Sequence, residues 1–220
     1  MDFQGPLPVD YDNVRSLNTA FLELLQHKDS RRYLRGLLQH YARRLQRLSR
    51  TDIRRLAATP FLLFSFRERD DGYWRELLRD DRGPDLFTVP LQAADDSGRL
   101  ISAGLGFVWQ LANRNQFAAR LLCGASTHWC EQIAERTFFN LVAVAAYRSD
   151  LLVLRAEHDN ELWEKLLDTG LSEQTDARNA AHISAMQYLL TRQADSSRWQ
   201  AAACASNNPT LRVAEDPESH

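Results

Sequence analysis

The sequence predicts an all-α protein built as two helical lobes, and three observations support this prediction. The chain of 220 residues contains only 9 Gly and 7 Pro, which favours long helices over a turn-rich sheet. Apolar residues recur at steps of three and four, the period of an amphipathic helix. A block of the first half also recurs in the second half, which is typical of helical repeats.

The first lobe is predicted to begin with a short arm and to continue as helices. Residues 1–12 have too few apolar positions to pack on their own and are interpreted as a flexible N-terminal arm. Residues 13–81 form the first helical unit, in which a break near Asp29–Ser30 separates two amphipathic helices. The run Ser49–Asp52 then predicts a short helix with a carboxylate in its first turn, which should end before Pro60.

A linker is predicted between the two lobes. Residues 82–98 belong to the only interior stretch that combines Pro, Gly and clustered Asp. Residues 99–194 then form the second helical unit, which carries an extra amphipathic helix at about 172–192. The polar tail, residues 195–220, is expected to be disordered.

A gapless internal match indicates that the two lobes are copies of one unit. Residues 62–78 align with residues 151–167 at a shift of 89. The identical positions include Leu62 and Leu151, Glu68 and Glu157, Asp70 and Asp159, Trp74 and Trp163, Leu77 and Leu166, and Leu78 and Leu167. The alternative is a chance match between two amphipathic helices, which a shared Trp in a gapless block makes the weaker explanation. Duplicated helical units usually pack as a pseudo-symmetric pair, the single-chain counterpart of a twofold dimer.

Apolar and capping positions in both halves follow the pattern of a known family. In the first half the pattern is L-[ST]-x(3)-[IM]-x(2)-LA-x-T-x(2)-LL-x(2)-FR, and its residues are Leu48, Ser49, Ile53, Leu56, Ala57, Thr59, Leu62, Leu63, Phe66 and Arg67. In the second half the matching residues are Gly124, Ser126, Ile133, Ala134, Thr137, Leu141, Val142, Ala145, Leu151 and Leu152. At these positions, within residues 17–80 and 105–168, the chain resembles FlhD, a helical subunit of the flagellar master regulator that acts with its partner FlhC.

The resemblance to FlhD implies a helical regulator that oligomerises and binds DNA as part of a complex. Two departures from the family leave room for a diverged function. The chain holds two copies of the unit and an extra C-terminal helix, and it has no zinc-binding Cys cluster like that of the partner subunit.

A dense basic run is the strongest candidate for a binding surface. Residues 28–55 carry ten positive and two negative side chains, a local net charge of +8 in a chain whose total is −2. Its arginines, all candidate nucleic-acid-binding residues, are Arg31, Arg32, Arg35, Arg43, Arg44, Arg47, Arg50, Arg54 and Arg55. Guanidinium groups along a helix face can engage successive phosphates. The equally weighted alternative is a solvated face that pairs with the acidic turn at residues 67–71 or with the second repeat. Because the second copy has no such run, symmetric operator binding is not expected.

Two tryptophans are candidate partner-binding residues. Trp74 and Trp163 occupy equivalent positions, and Trp is favoured at binding hot spots. The more common role of a Trp on an apolar helix stripe is core packing.

The sequence offers little for catalysis. Cys123, His128 and Cys130 are near each other in the chain, but no oxyanion element or family-like setting accompanies them. The three cysteines, of which Cys204 is the last, are odd in number and lack zinc-finger spacing. The acidic turn at residues 157–161 lacks the spacing of known metal motifs, and no nucleotide-binding glycine motif occurs. We therefore expect no enzyme activity, no cofactor and no bound metal.

These observations favour an FlhD-like transcriptional regulator, or a subunit of a regulatory complex, in the cytoplasm. It would bind double-stranded DNA through the Arg-rich helices, together with a protein partner or as a homodimer or hetero-complex. The alternative is a non-enzymatic adaptor that binds proteins and not DNA. A membrane and a small-molecule substrate are not expected as partners.

Overall fold

A computed structural model describes residues 5–79, 95–148 and 150–206, and helices predominate in this part of the chain, which confirms the all-α prediction. The elements of the first half are α1 (Pro8–Leu25), a 3₁₀ helix (Lys28–Leu34), α2 (Gln39–Leu45), α3 (Arg50–Ala57), β1 (Phe64–Ser65) and α4 (Asp71–Arg79). Those of the second half are α5 (Asp96–Arg114), α6 (Gln116–Cys123), α7 (Thr127–Ala134), α8 (Phe138–Tyr147), β2 (Val153–Leu154), α9 (Asn160–Asp168) and α10 (Thr175–Ser206).

The elements of the first half recur in the second at the predicted shift. Helix α9 begins 89 residues after α4, at residue 160 against residue 71. The two non-glycine residues with positive φ in the described part, Arg67 (55°) and Ala156 (49°), are also 89 positions apart. A duplication predicts this recurrence, although the common origin of the halves stays a prediction.

Strands β1 and β2 join the two halves with the symmetry of a twofold pair. They are antiparallel, with Phe64 opposite Leu154 and Ser65 opposite Val153. Leu154 is the counterpart of Ser65, and Val153 is the counterpart of Phe64, at the shift of 89. Each strand therefore pairs with its own counterpart, as an isologous interface requires.

One hydrophobic core runs through both halves. Helix α1 packs on α3 and on α5, while α5 packs on α6, α7 and α8. The indole of Trp74 meets that of Trp129 edge to face, with ring centroids 5.3 Å apart. The buried apolar residues of both halves form a continuous cluster, so the predicted two lobes share a core and are not packed separately.

Helix α1 begins earlier than the sequence predicts, at Pro8 within the expected flexible arm. Asp10 is 2% exposed, accepts a hydrogen bond from the Leu7 amide at 2.7 Å and pairs with Arg114 at 2.6 Å. These contacts cap the helix and hold its first turn against the end of α5.

The second amphipathic helix predicted for this half is interrupted. Residues 28–34 form a 3₁₀ helix, and α2 begins only at Gln39. Between them, a Cβ placed on Gly36 would lie 2.6 Å from Cγ of Glu157. The second half therefore approaches the backbone at Gly36 too closely for any side chain there.

The short helix predicted at Ser49–Asp52 is confirmed. The Ser49 hydroxyl accepts a hydrogen bond from the Asp52 amide at 3.1 Å, and α3 ends before Pro60. Residues 96–98 of the predicted linker belong to α5, and residues 80–94 lie outside the described residues. Residues 195–206 of the expected disordered tail belong to α10, and residues 207–220 lie outside the description.

Candidate nucleic-acid interface

Helix α2 divides the arginines of the basic run between two faces. One face packs on α9, with Tyr41 and Leu45 buried. On this side, Arg44 forms an ion pair with Asp168 at 2.5 Å and donates to the Leu167 carbonyl at 2.7 Å. The guanidinium of Arg44 thus links α2 to the second half through an exposed ion pair and a backbone carbonyl.

Arg55 is also bound to the second half. It lies 3.3 Å from the Glu173 carboxylate and donates to the Leu171 carbonyl at 3.3 Å. A further contact within α3 joins it to Asp52 at 3.7 Å. For Arg44 and Arg55, the predicted alternative of pairing with the second repeat is what the structure shows.

Arg32 and Arg54 have polar partners but no ion pair among the described residues. Arg32 donates to the hydroxyls of Tyr33 at 2.5 Å and Ser97 at 3.1 Å, and its guanidinium lies over the Tyr33 ring. Arg54 makes a single long contact of 3.5 Å with the Thr51 hydroxyl. The Ser97 contact ties the 3₁₀ helix to the start of α5.

Five further arginines of the run are exposed and have neither an ion pair nor a side-chain hydrogen bond with another described residue. We call them the open arginines: Arg31, Arg35, Arg43, Arg47 and Arg50. They lie along the 3₁₀ helix and its end, on α2, in the α2–α3 turn and at the first residue of α3. Within the described chain, no ion pair joins the run to residues 67–71, so that part of the alternative is not supported.

Two of the open arginines flank a groove between the 3₁₀ helix and α2. The groove has a volume of about 430 Å³ and is lined by Arg31, Leu34, Leu37, Gln39, Ala42, Arg43 and Gln46. Leu34 and Leu37 are almost fully buried and Ala42 is half-buried, so these three residues form an apolar floor. The remaining lining side chains are cationic or amide groups.

The equivalent surface of the second half has a different character. The residues 89 positions after the open arginines are Arg120, Gly124, Gln132, Arg136 and Phe139. Two positions remain Arg, and the start of α8 instead exposes Phe138 (37%) and Phe139 (58%). The concentrated positive charge is therefore confined to one half, as the sequence predicts.

The prediction that Trp74 and Trp163 anchor a partner is not supported. Trp74 is 0% exposed and Trp163 is 1% exposed. The indole of Trp74 donates to the Phe66 carbonyl at 2.9 Å, and that of Trp163 donates to the Arg155 carbonyl at 3.1 Å. Both are core residues, because each indole is buried and its N–H group is satisfied by a carbonyl of its own half.

Sequence reasoning missed a buried ion pair between the halves. Arg155 lies 2.9 Å from the Glu68 carboxylate, and both side chains are less than a tenth exposed. Glu68 is conserved between the two copies of the aligned block, but Arg155 aligns with Phe66. The internal repeat therefore did not indicate a role for Arg155. A lone Arg within an apolar run was the only available signal.

The region of Cys123, His128 and Cys130 does not assemble a nucleophile. Burial raises the pKa of Cys123 far above its usual range, and burial raises that of Cys130 to about 11. The exposed ring of His128 contacts Gln132 at 3.0 Å. Within the described ranges no group of His, Cys, Asp and Glu is arranged to hold a metal ion.

We expect the thiols of Cys123 and Cys130 to be unreactive in the native protein. Raising the pKa of Cys130 from 9.0 to about 11 lowers its thiolate fraction about a hundredfold at neutral pH. A Cys204→Ser variant, which leaves these two thiols, should react with a disulfide reagent slowly in buffer and quickly in urea. Rapid native labelling at either residue would revive the possibility of a reactive cysteine.

No protein-family model, no curated protein and no solved structure matches this chain. The similarity to FlhD therefore stays a prediction from the residues given above. Among the helices that the structure describes, none is both long and apolar enough to cross a membrane.

Proposed function

We propose that this protein is a non-enzymatic, FlhD-like regulatory subunit of the cytoplasm that binds duplex DNA through the open arginines and acts with a protein partner. The observation that carries the proposal is that the five open arginines are exposed and have neither an ion pair nor a side-chain hydrogen bond among the described residues. Guanidinium groups are weakly hydrated and match phosphate oxygens with two parallel N–H donors.

The charge distribution supports an oriented contact with DNA. The basic run carries +8, so the remainder of the chain carries −10 and is repelled by phosphates. A duplex would therefore meet the protein through the open arginines. Because the second half lacks an equivalent basic surface, the contact would be one-sided, with any further specificity supplied by the partner.

The test is fluorescence anisotropy of the full chain with random-sequence duplex DNA across a salt series. The combined change Arg43→Glu, Arg47→Glu and Arg50→Glu should abolish measurable binding. The corresponding Arg→Gln triple should weaken binding and lower the slope of log affinity against log salt by about one per lost phosphate contact. The physical reason is that fewer counterions are released from the DNA.

A matched control separates this surface from total charge. The same three reversals at Arg15, Arg75 and Arg120 act on exposed arginines that also lack an ion pair in the described chain. They should change affinity by less than about threefold, since long-range effects are screened at physiological salt. Equal losses in both triples would contradict an oriented site. Failure of the unaltered protein to bind duplex DNA at low salt would favour the protein adaptor.

A further inference from the structure

The groove between the 3₁₀ helix and α2 has a feature that phosphate binding does not use. Its floor consists of Leu34, Leu37 and Ala42, while Arg31 and Arg43 stand at its rim. A volume of about 430 Å³ lies within the usual range of ligand sites. An occupant that fills the groove must therefore present apolar groups and negative charge together.

These requirements select a peptide over a nucleic-acid backbone. Phosphates and sugars can pair with Arg31 and Arg43, but they carry no aliphatic side chain to cover the leucine floor. A Leu or Ile of a helical peptide would lie on that floor, and carboxylates at neighbouring helical positions would reach the two guanidinium groups. The side-chain amides of Gln39 and Gln46 add donors and acceptors to the walls.

The positive charges of the two rim arginines are also not paired with carboxylates of the described chain. Arg44, one position along α2, is paired with Asp168, whereas Arg31 and Arg43 form no ion pair among the described residues. Carboxylates brought by a partner would supply charge complementarity of the kind that orients association.

We propose that this groove binds an acidic amphipathic segment of a partner protein, with aliphatic side chains on the floor and carboxylates on Arg31 and Arg43. This binding does not require that the protein bind DNA. If both occur, the segment and the duplex compete, because they share the two rim arginines. Such a partner would release the protein from DNA.

The probe is a fluorescein-labelled peptide of about 15 residues with Leu at positions i, i+3, i+4 and i+7 of its apolar face and Glu beside them. It is titrated with the full chain. Two control peptides replace every Leu with Ala or every Glu with Gln. We expect the parent peptide to bind and each control to bind about tenfold more weakly or worse.

Two protein variants separate the groove from the rest of the basic surface. Ala42→Phe fills the groove without changing charge, and should weaken peptide binding about tenfold while leaving DNA affinity within about threefold. Arg47→Glu with Arg50→Glu changes open arginines that do not line the groove, and should weaken DNA binding far more than peptide binding. If Ala42→Phe alters the thermal melt, Gln39→Trp blocks the groove from the exposed start of α2 and is used in its place.

Distinct outcomes would overturn the two proposals. Peptide binding that survives both replacement of Leu by Ala and blockage of the groove would show a charge contact without the groove, and would overturn the docking proposal. No binding of the parent peptide would overturn it as well. If the unaltered protein does not bind duplex DNA, only the proposed function is contradicted, because the peptide titration contains no DNA.

Discussion

Replacing Arg155 with Met is expected to lower the free energy of unfolding by about 3–5 kcal/mol, the range for removal of one partner from a buried ion pair. The guanidinium donates to the carbonyls of Leu62 at 2.5 Å and Phe64 at 2.9 Å, and to that of Cys123. It also faces the carboxylate of Glu68 at 2.9 Å. The Met side chain would leave a buried negative charge and three carbonyls without this donor.

Urea unfolding followed by circular dichroism measures the loss at Arg155. The control is Arg99→Met, which breaks an exposed ion pair with Asp96 at 2.6 Å and should cost less than about 1 kcal/mol. Combining Arg155→Met with Glu68→Leu removes the stranded charge, and should recover part of the stability. If Arg155→Met lowers the free energy of unfolding no more than Arg99→Met does, the buried ion pair does not hold the halves together.

Truncation of either buried tryptophan, by Trp74→Ala or Trp163→Ala, is expected to lower the free energy of unfolding by about 3–5 kcal/mol. Each indole is fully buried and donates to the carbonyl of the residue eight positions earlier. The shared burial and the shared hydrogen bond of the indole N–H predict losses of similar size. Truncation would leave a large cavity in the shared core and a buried carbonyl without its donor.

The same unfolding measurement tests the role of the two tryptophans. Trp109→Ala is the control, because Trp109 is only partly buried at the edge of the core and should cost less. Unchanged stability in Trp74→Ala or Trp163→Ala, combined with weaker binding of a protein partner, would restore the hypothesis that these residues anchor a partner.

Features that depend on near neighbours in the chain were predictable. Ser49 and Asp52 are three residues apart, so their hydrogen bonds form as soon as the helix does. Pro60 ends the same helix on its C-terminal side, because the proline ring disfavours helical backbone in the residue before it. The internal match between residues 62–78 and 151–167 likewise indicated two helices whose first residues are separated by a shift of 89.

Features that depend on the other half of the chain were decided by the tertiary structure. The apolar period from Leu34 to Leu48 predicted one continuous helix, but the structure has a 3₁₀ helix and the short α2, with Glu157 of the second half packed closely against Gly36 between them. No pattern within the basic run distinguished Arg43 from its neighbour Arg44, which is paired only because α9 places Asp168 beside it. The sequence alone thus determined the helical class, the N-terminal cap of α3 and the location of the positive charge. The packing of the two halves decided that Arg44 and Arg55 are not open, because the groups of the second half that bind them lie more than a hundred residues away in the chain.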